Sequence, residues 1–261
     1  MTNIERTEKL RNELKPLYEN LLKNMADYKE TLPKPELQED YSENNYKFAT
    51  FCMQWGKDFP LEEHCGVIFV GRATNGWVSD CEDVNVLFGD TEDAIFDRHD
   101  QMEWVENLWG NTKGYNTRKS AFWRVIKKIT KELYPEPWYS HVAWSNVCKV
   151  APWKGGNPND SLYYAQLSDC KKIFAKEIEL ISPKVVVLFT GEGWAIDLLR
   201  YMNGEVGTKS IYKQKWANYE CKVYQINGVI YIRTEHPQGK SEDAHVQCIV
   251  DIVKRCNQLQ V

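Results

Sequence analysis

No stretch of this 261-residue chain approaches the apolar length needed to cross a bilayer, about 20 residues. The opening MTNIERTEKL is too polar for a secretory signal. Pairing motifs for metal or redox chemistry are also missing. The eight cysteines (Cys52, Cys65, Cys81, Cys148, Cys170, Cys221, Cys248 and Cys256) contain no C-x-x-C, and the five histidines add no H-x-x-x-H. A zinc site and a disulfide framework are therefore not signalled, and the thiols read as reduced, in a cytoplasmic protein. There is no G-x-x-x-x-G-K-[ST] loop and no G-x-S-x-G elbow, so nucleoside triphosphatases and serine hydrolases lack their strongest signals. With a net charge of -4, the surface as a whole offers no sequence-independent grip on nucleic acid, although a local basic face stays open.

Hydrophobic residues make up 43% of the chain and charged residues 27%, the balance of a globular protein able to bury a sizeable core. Residues 4–28 place Leu10, Leu14, Leu17, Leu21, Met25 and Tyr28 at a helical period, with Pro16 expected to bend or interrupt the helix. A polar, proline-bearing connector follows. Residues 1–45 thus read as a helical extension and connector, and 46–261 as the main domain.

From residue 66 the pattern alternates between strand and helix. GVIFVG (66–71), HVAWSNV (141–147), KVVVLFTG (184–191) and the second arm of a hairpin about Asn227-Gly228 are strands. SAFWRVIKKITKELY (120–134, opening on a Ser120 cap), 168–182, 193–202 and 243–256 are helices. An acidic insertion at about 78–115 reads as a solvated, partly helical excursion. Such alternation argues an α/β fold with a mainly parallel sheet and helices on both faces. Ligands of such sheets bind at the carboxyl ends of the strands. That rule collects GRATNGW, SNVCKV, FTGEGW and RTEHPQGK at one edge, with Asn146 and Lys149 expected to face a cleft. FTGEGWAI matches only two glycines of a dinucleotide loop, so a tight strand-to-helix turn explains it more simply.

The segments GRATNGW, SNVCKVAPWKGGNP, KEIELISPKVVVLFTGEGWAIDLL and YIRTEHPQGKS resemble, in order and spacing, the uracil-DNA glycosylase superfamily, nearest its family 4 and family 5 branches. The resemblance covers about 66–255. It implies a three-layer α/β/α sandwich with a four-stranded, mainly parallel sheet, behind the N-terminal helical extension. By position, Asn146 would read the Watson–Crick edge of a flipped base, and His236 would donate to the base oxygen as the glycosidic bond breaks. Gly71, Arg72, Ala73 and Thr74 would approach the nucleotide, Trp77 or Phe88 would stack on the base, and Lys149 and Pro237 would complete the substrate contacts. The first loop lacks the acid that active relatives commonly carry, which leaves Asn75, one step further on, as the candidate to position water.

The family 4 branch also holds an iron–sulfur cluster on four cysteines. Here Cys170 falls at one ligand position and Val150 replaces another, so the resemblance implies no cofactor and no metal. The implied partner is DNA carrying a damaged or deaminated base, or a free base or nucleotide, with no membrane. Two classes of function stay open: a glycosylase, and a relative that binds a base or nucleic acid without hydrolysis.

Overall fold

The computed structural model describes residues 2–32, 47–75, 83–88, 99–153 and 155–258. The chain divides into two compact units. One comprises residues 1–52, 72–98 and 146–180, the other 53–71, 99–145 and 181–261.

The first unit is built on two long helices, α1 (Asn3–Thr31) and α5 (Asp160–Ile181). Helix α1 opens on a reciprocal cap, in which Thr2 and Glu5 each accept from the other's backbone amide. It continues through Pro16, so of the expected bend or interruption the second does not occur. Pro16 is exposed, as is Asn12 one turn earlier, whose carbonyl the missing N–H leaves facing water. The buried line is Leu10, Leu14, Tyr18, Leu21 and Met25. Tyr18 takes the place expected of Leu17, because its hydroxyl can donate to the Phe51 carbonyl at 2.9 Å. Asn20 and Asn24 donate to the two oxygens of Asp169 on α5 (2.8 and 2.6 Å), which joins the helices through polar groups. A two-stranded antiparallel sheet, β1 (Phe48–Thr50) with β5 (Val150–Pro152), completes this unit together with the short α2 (Val84–Phe88).

The second unit carries a seven-stranded sheet in the order β2-β4-β3-β6-β9-β8-β7. Its strands are β2 (Gln54–Trp55), β3 (Val67–Gly71), β4 (Val142–Asn146, whose last residue belongs to the first unit), β6 (Val185–Phe189), β7 (Tyr212–Trp216), β8 (Tyr219–Ile226) and β9 (Val229–Thr234). The four strands read from the sequence are the contiguous centre, β4-β3-β6-β9, in which β6 pairs in parallel with both β3 and β9. Antiparallel strands extend that centre on both sides. β3 and β6 are buried along their whole length, as two-sided strands must be. Asn227 (φ 50°) and Gly228 (φ 82°) form the two-residue turn between β8 and β9; both left-handed conformations suit Asn and Gly.

Helices α4 (Ala121–Leu133) and α7 (Glu242–Gln258) share one face of this sheet, and α6 (Glu192–Met202) takes the other. Adjacent residues of β9 show the division, since they point to opposite faces. Thr234 meets His245 of α7 at 2.8 Å, whereas Arg233 meets Glu192 of α6 at 3.0 Å. α4 begins at Ser120, whose hydroxyl accepts from the Trp123 amide. α3 (Glu103–Asn107) and the rest of the described insertion are less free than their acidity suggests. Asp100 is buried on the Ser140 hydroxyl (2.6 Å), and Glu106 accepts from Lys127 and from the Trp138 indole.

His245 has no exposed surface. Its ring lies flat on Trp216 (3.8 Å between centroids, 4°) and edge-on to Phe189. Burial, then Lys240 and His236, push its pKa down from 6.5 to about 3. The native ring is therefore neutral where the unfolded chain binds a proton, and stability falls as pH drops from 6.5 towards 3. One proton is worth at most about 1.4 kcal/mol per pH unit. We expect wild type to lose more stability between pH 7 and pH 5 than His245→Gln does, read from urea unfolding at both values. Equal losses would overturn this role for His245.

Candidate active site

Two loops of the first unit leave adjacent strands of the sheet and are tied to one another. The Cys148 amide donates to the Arg72 carbonyl at 2.9 Å, and the Gly156 amide donates to Asn75 Oδ1 at 3.1 Å. Gly71 ends β3, buried; Arg72 and Ala73 follow, half-buried, and Thr74 is buried. Asn146 ends β4 with 1% of its surface exposed. Among the described residues no acceptor meets its Nδ2. Buried side-chain amides are normally satisfied, so this nitrogen still has a hydrogen bond to give.

Lys149 does not face a cleft, against expectation. Its side chain is wholly buried, and its ammonium donates to Glu177 of α5 at 2.8 Å and to the Asn146 carbonyl at 3.0 Å. An ammonium out of water needs a carboxylate and further acceptors, and here it has both. Its role is to hold the β4 loop on α5 and so to position Asn146. Phe88 is likewise committed elsewhere. It is 2% exposed on α2 with its ring 5.1 Å from that of Tyr18, which makes it a core residue rather than a stacking platform. Asn75 is exposed, and its oxygen accepts from the Gly156 amide, so it clasps the neighbouring loop. Trp77 lies outside the described residues.

The second unit supplies His236 and Pro237, from the loop that follows β9. The Gly191 amide donates to the Thr234 carbonyl at 2.9 Å, which binds this loop to the one after β6. Pro237 is buried, and His236, half-buried, lies parallel to Phe122 of α4 (6.3 Å, 12°). The Gln238 amide donates to His236 Nδ1 at 3.3 Å. With Nδ1 accepting, a neutral ring carries its proton on Nε2, the tautomer that a donor to a base oxygen requires.

The chain matches the family model described as the uracil DNA glycosylase superfamily over residues 60–254. It belongs to that superfamily. No curated protein matches the chain. The matched span takes in every strand of the central sheet except β2 and also the loops that carry Gly71 to Asn75, Asn146 and His236. Membership brings a uracil-DNA glycosylase-like domain, with DNA as the class of substrate. No described helix is long and apolar enough to cross a membrane.

An iron–sulfur cluster, carried by one branch of the superfamily, does not fit these residues. Cys170 is buried, its thiol donates to Gln166 Oε1 (3.2 Å), and burial pushes its pKa up to about 12. A cluster ligand must be a thiolate beside others. No group of three possible metal-binding side chains occurs among the described residues. The basic run on α4 is also spoken for: Arg124 pairs with Glu242, Lys127 with Glu106, and Lys128 with Asp243.

Two residues escaped the sequence reading. Glu177 sits on a helix whose polar residues look solvated, and His245 on an amphipathic helix. Only helix phase could have flagged Glu177, since it falls one turn after Ile173 and one residue before Ile178 on the buried side.

Removing one partner of such a buried pair costs about 3–5 kcal/mol, because the other charge is left uncompensated. We expect Lys149→Met to lower stability by that amount, about 3–5 kcal/mol, and Lys149→Met combined with Glu177→Leu to recover most of it, both measured by chemical unfolding. A single variant that melts like wild type but binds oligonucleotides less well would instead make Lys149 a phosphate contact.

Proposed function

We propose that this protein hydrolyses the N-glycosidic bond of uracil or another deaminated base in DNA, as a monofunctional glycosylase of base excision repair. The observation that supports this reading most is the buried, partnerless amide nitrogen of Asn146. A buried N–H without an acceptor costs about 1–3 kcal/mol, and a carbonyl of a flipped base would relieve that cost. For uracil, Nδ2 would donate to O4 and Oδ1 would accept from N3–H, which uses both ends of the amide and leaves O2 for His236.

Bond cleavage moves the C1′–N1 electron pair into the base, leaving negative charge on the base oxygens and cationic character at C1′. Water then adds to C1′ and releases its proton to solvent. His236, neutral with Nε2–H as donor, would stabilise the charge growing on O2. Such a donor matters mainly in the transition state. Phe122 and the Gln238 amide hold its ring in orientation beforehand.

A second reading, base or nucleic-acid binding without hydrolysis, is favoured by one observation. The loop from Gly71 to Asn75 has no carboxylate, and the Asn75 oxygen is already bonded to Gly156. Nothing in that loop is then poised to activate water.

Base release from oligonucleotides carrying uracil, hypoxanthine or xanthine separates the two. Single-stranded or mismatched uracil should be cut best, because extrusion costs least there. His236→Ala should lower kcat about 10²–10³-fold with little change in binding, and Asn146→Ala should reduce both binding and cleavage. Cleavage that survives both substitutions would mean the chemistry is assigned to the wrong residues. Binding lost in Asn146→Ala, with no release by wild type from any substrate, would establish the second reading.

A further inference from the structure

We infer a second binding site, for a phosphate ester, in the cavity that α6 forms with β7, β8 and β9. It does not depend on the glycosylase reading. The cavity, of about 520 Å³, lies within the range of small-molecule sites, and Ile196, Leu199 and Tyr224 give it apolar walls. Its charge is strongly one-sided. Arg200, Lys209, Lys213, Lys222 and Arg233 line it, against the single carboxylate of Glu192. The chain as a whole is acidic at -4, so this concentration of positive charge is local.

The strand register explains how the charges come together. Lys213 pairs with Lys222 across β7 and β8, and Lys222 pairs with Arg233 across β8 and β9. Three cations thus stand directly opposite one another in a row. Like charges in that relation destabilise a sheet, so the arrangement calls for an anion. Carboxylates answer only in part: Glu192 reaches Arg233 at 3.0 Å and Lys222 at 3.7 Å, and Glu220 reaches Lys222 at 3.7 Å, which leaves three cations to two acids. The row also passes from water to interior. Lys213 is exposed, the Lys222 side chain is 21% exposed and that of Arg233 only 7%.

At the buried end, donors are left over. Arg233 Nε is buried, and no acceptor among the described residues meets it. Thr208 Oγ1, also buried and also unmatched, lines the same cavity. A guanidinium with one edge bound to Glu192 and its Nε unused, a hydroxyl and two lysines are the donor set that a tetrahedral dianion takes up. The apolar walls favour an ester over the bare ion. A free sugar phosphate or nucleotide and a phosphate of a nucleic-acid strand share this chemistry.

The test is titration calorimetry at low salt with three probes: inorganic phosphate, deoxyribose 5-phosphate, which has no base to enter another pocket, and an undamaged single-stranded oligonucleotide. Wild type should bind phosphate saturably. Arg233→Gln should weaken binding about tenfold or more, and the exposed Lys213→Ser about threefold. If Arg233→Gln fails to fold, Lys213→Ser and Arg200→Ser carry the comparison. Displacement of phosphate mainly by the sugar phosphate identifies a free ligand, and displacement mainly by the oligonucleotide identifies a strand. Absence of saturable binding by folded wild type, or affinity unchanged in the variants, would overturn the site. Neither result bears on base release, which Asn146 and His236 are proposed to govern.

Discussion

A lysine ammonium with no exposed surface persists only beside a carboxylate, and the first unit of this protein is organised around one such pair. Lys149 reaches Glu177 with its side chain, the Asn146 carbonyl with the same ammonium, and Cys170 and Phe51 through its own backbone. Phe51 and Phe174 close the surroundings with their rings. Excluding water raises the cost of any misalignment, because a buried charge that loses its partner has no solvent to replace it. The β4 loop is consequently held on α5 from three sides, and the conformation at Asn146 follows from that. The price is stability that depends on both members of the pair at once.

Beside that pair, one group stands apart. The Asn146 amide nitrogen lies three residues from Lys149 and is buried, yet no acceptor among the described residues meets it. His236 shows the complementary design in the other unit, with Nδ1 held by a backbone amide and its ring held parallel to Phe122. In each case hydrogen bonds fix the neighbouring atoms, the backbone carbonyl of Asn146 and Nδ1 of His236.

Charge is treated in the same local manner. Arg124, Lys127 and Lys128 of α4 pair with acids of α3 and α7, so this basic run is part of helix packing. The row at β7, β8 and β9 is only partly countered, by Glu192 and Glu220, and it is invisible along the chain because its members come from three strands. A net charge of -4 therefore says little about where an anion is attracted.

The sequence by itself determined the element types and the family. Two-sided apolar runs specified β3 and β6, Asn227-Gly228 specified the hairpin, and Ser120 marked the start of α4, because these are local properties of backbone and side chain. It also placed Asn146 and His236 at strand ends, where position in the chain and the rule for α/β sheets suffice. What only the tertiary structure decided is which polar residues have partners. Lys149, Phe88 and Asn75 read as ligand contacts until Glu177, Tyr18 and Gly156 are seen beside them. Tyr18 displaces Leu17 from the buried line for a hydroxyl's sake, and Pro16 leaves its helix intact because the lost bond faces water. Burial and pairing are set by residues far apart in the chain, whereas periodicity reports only on neighbours.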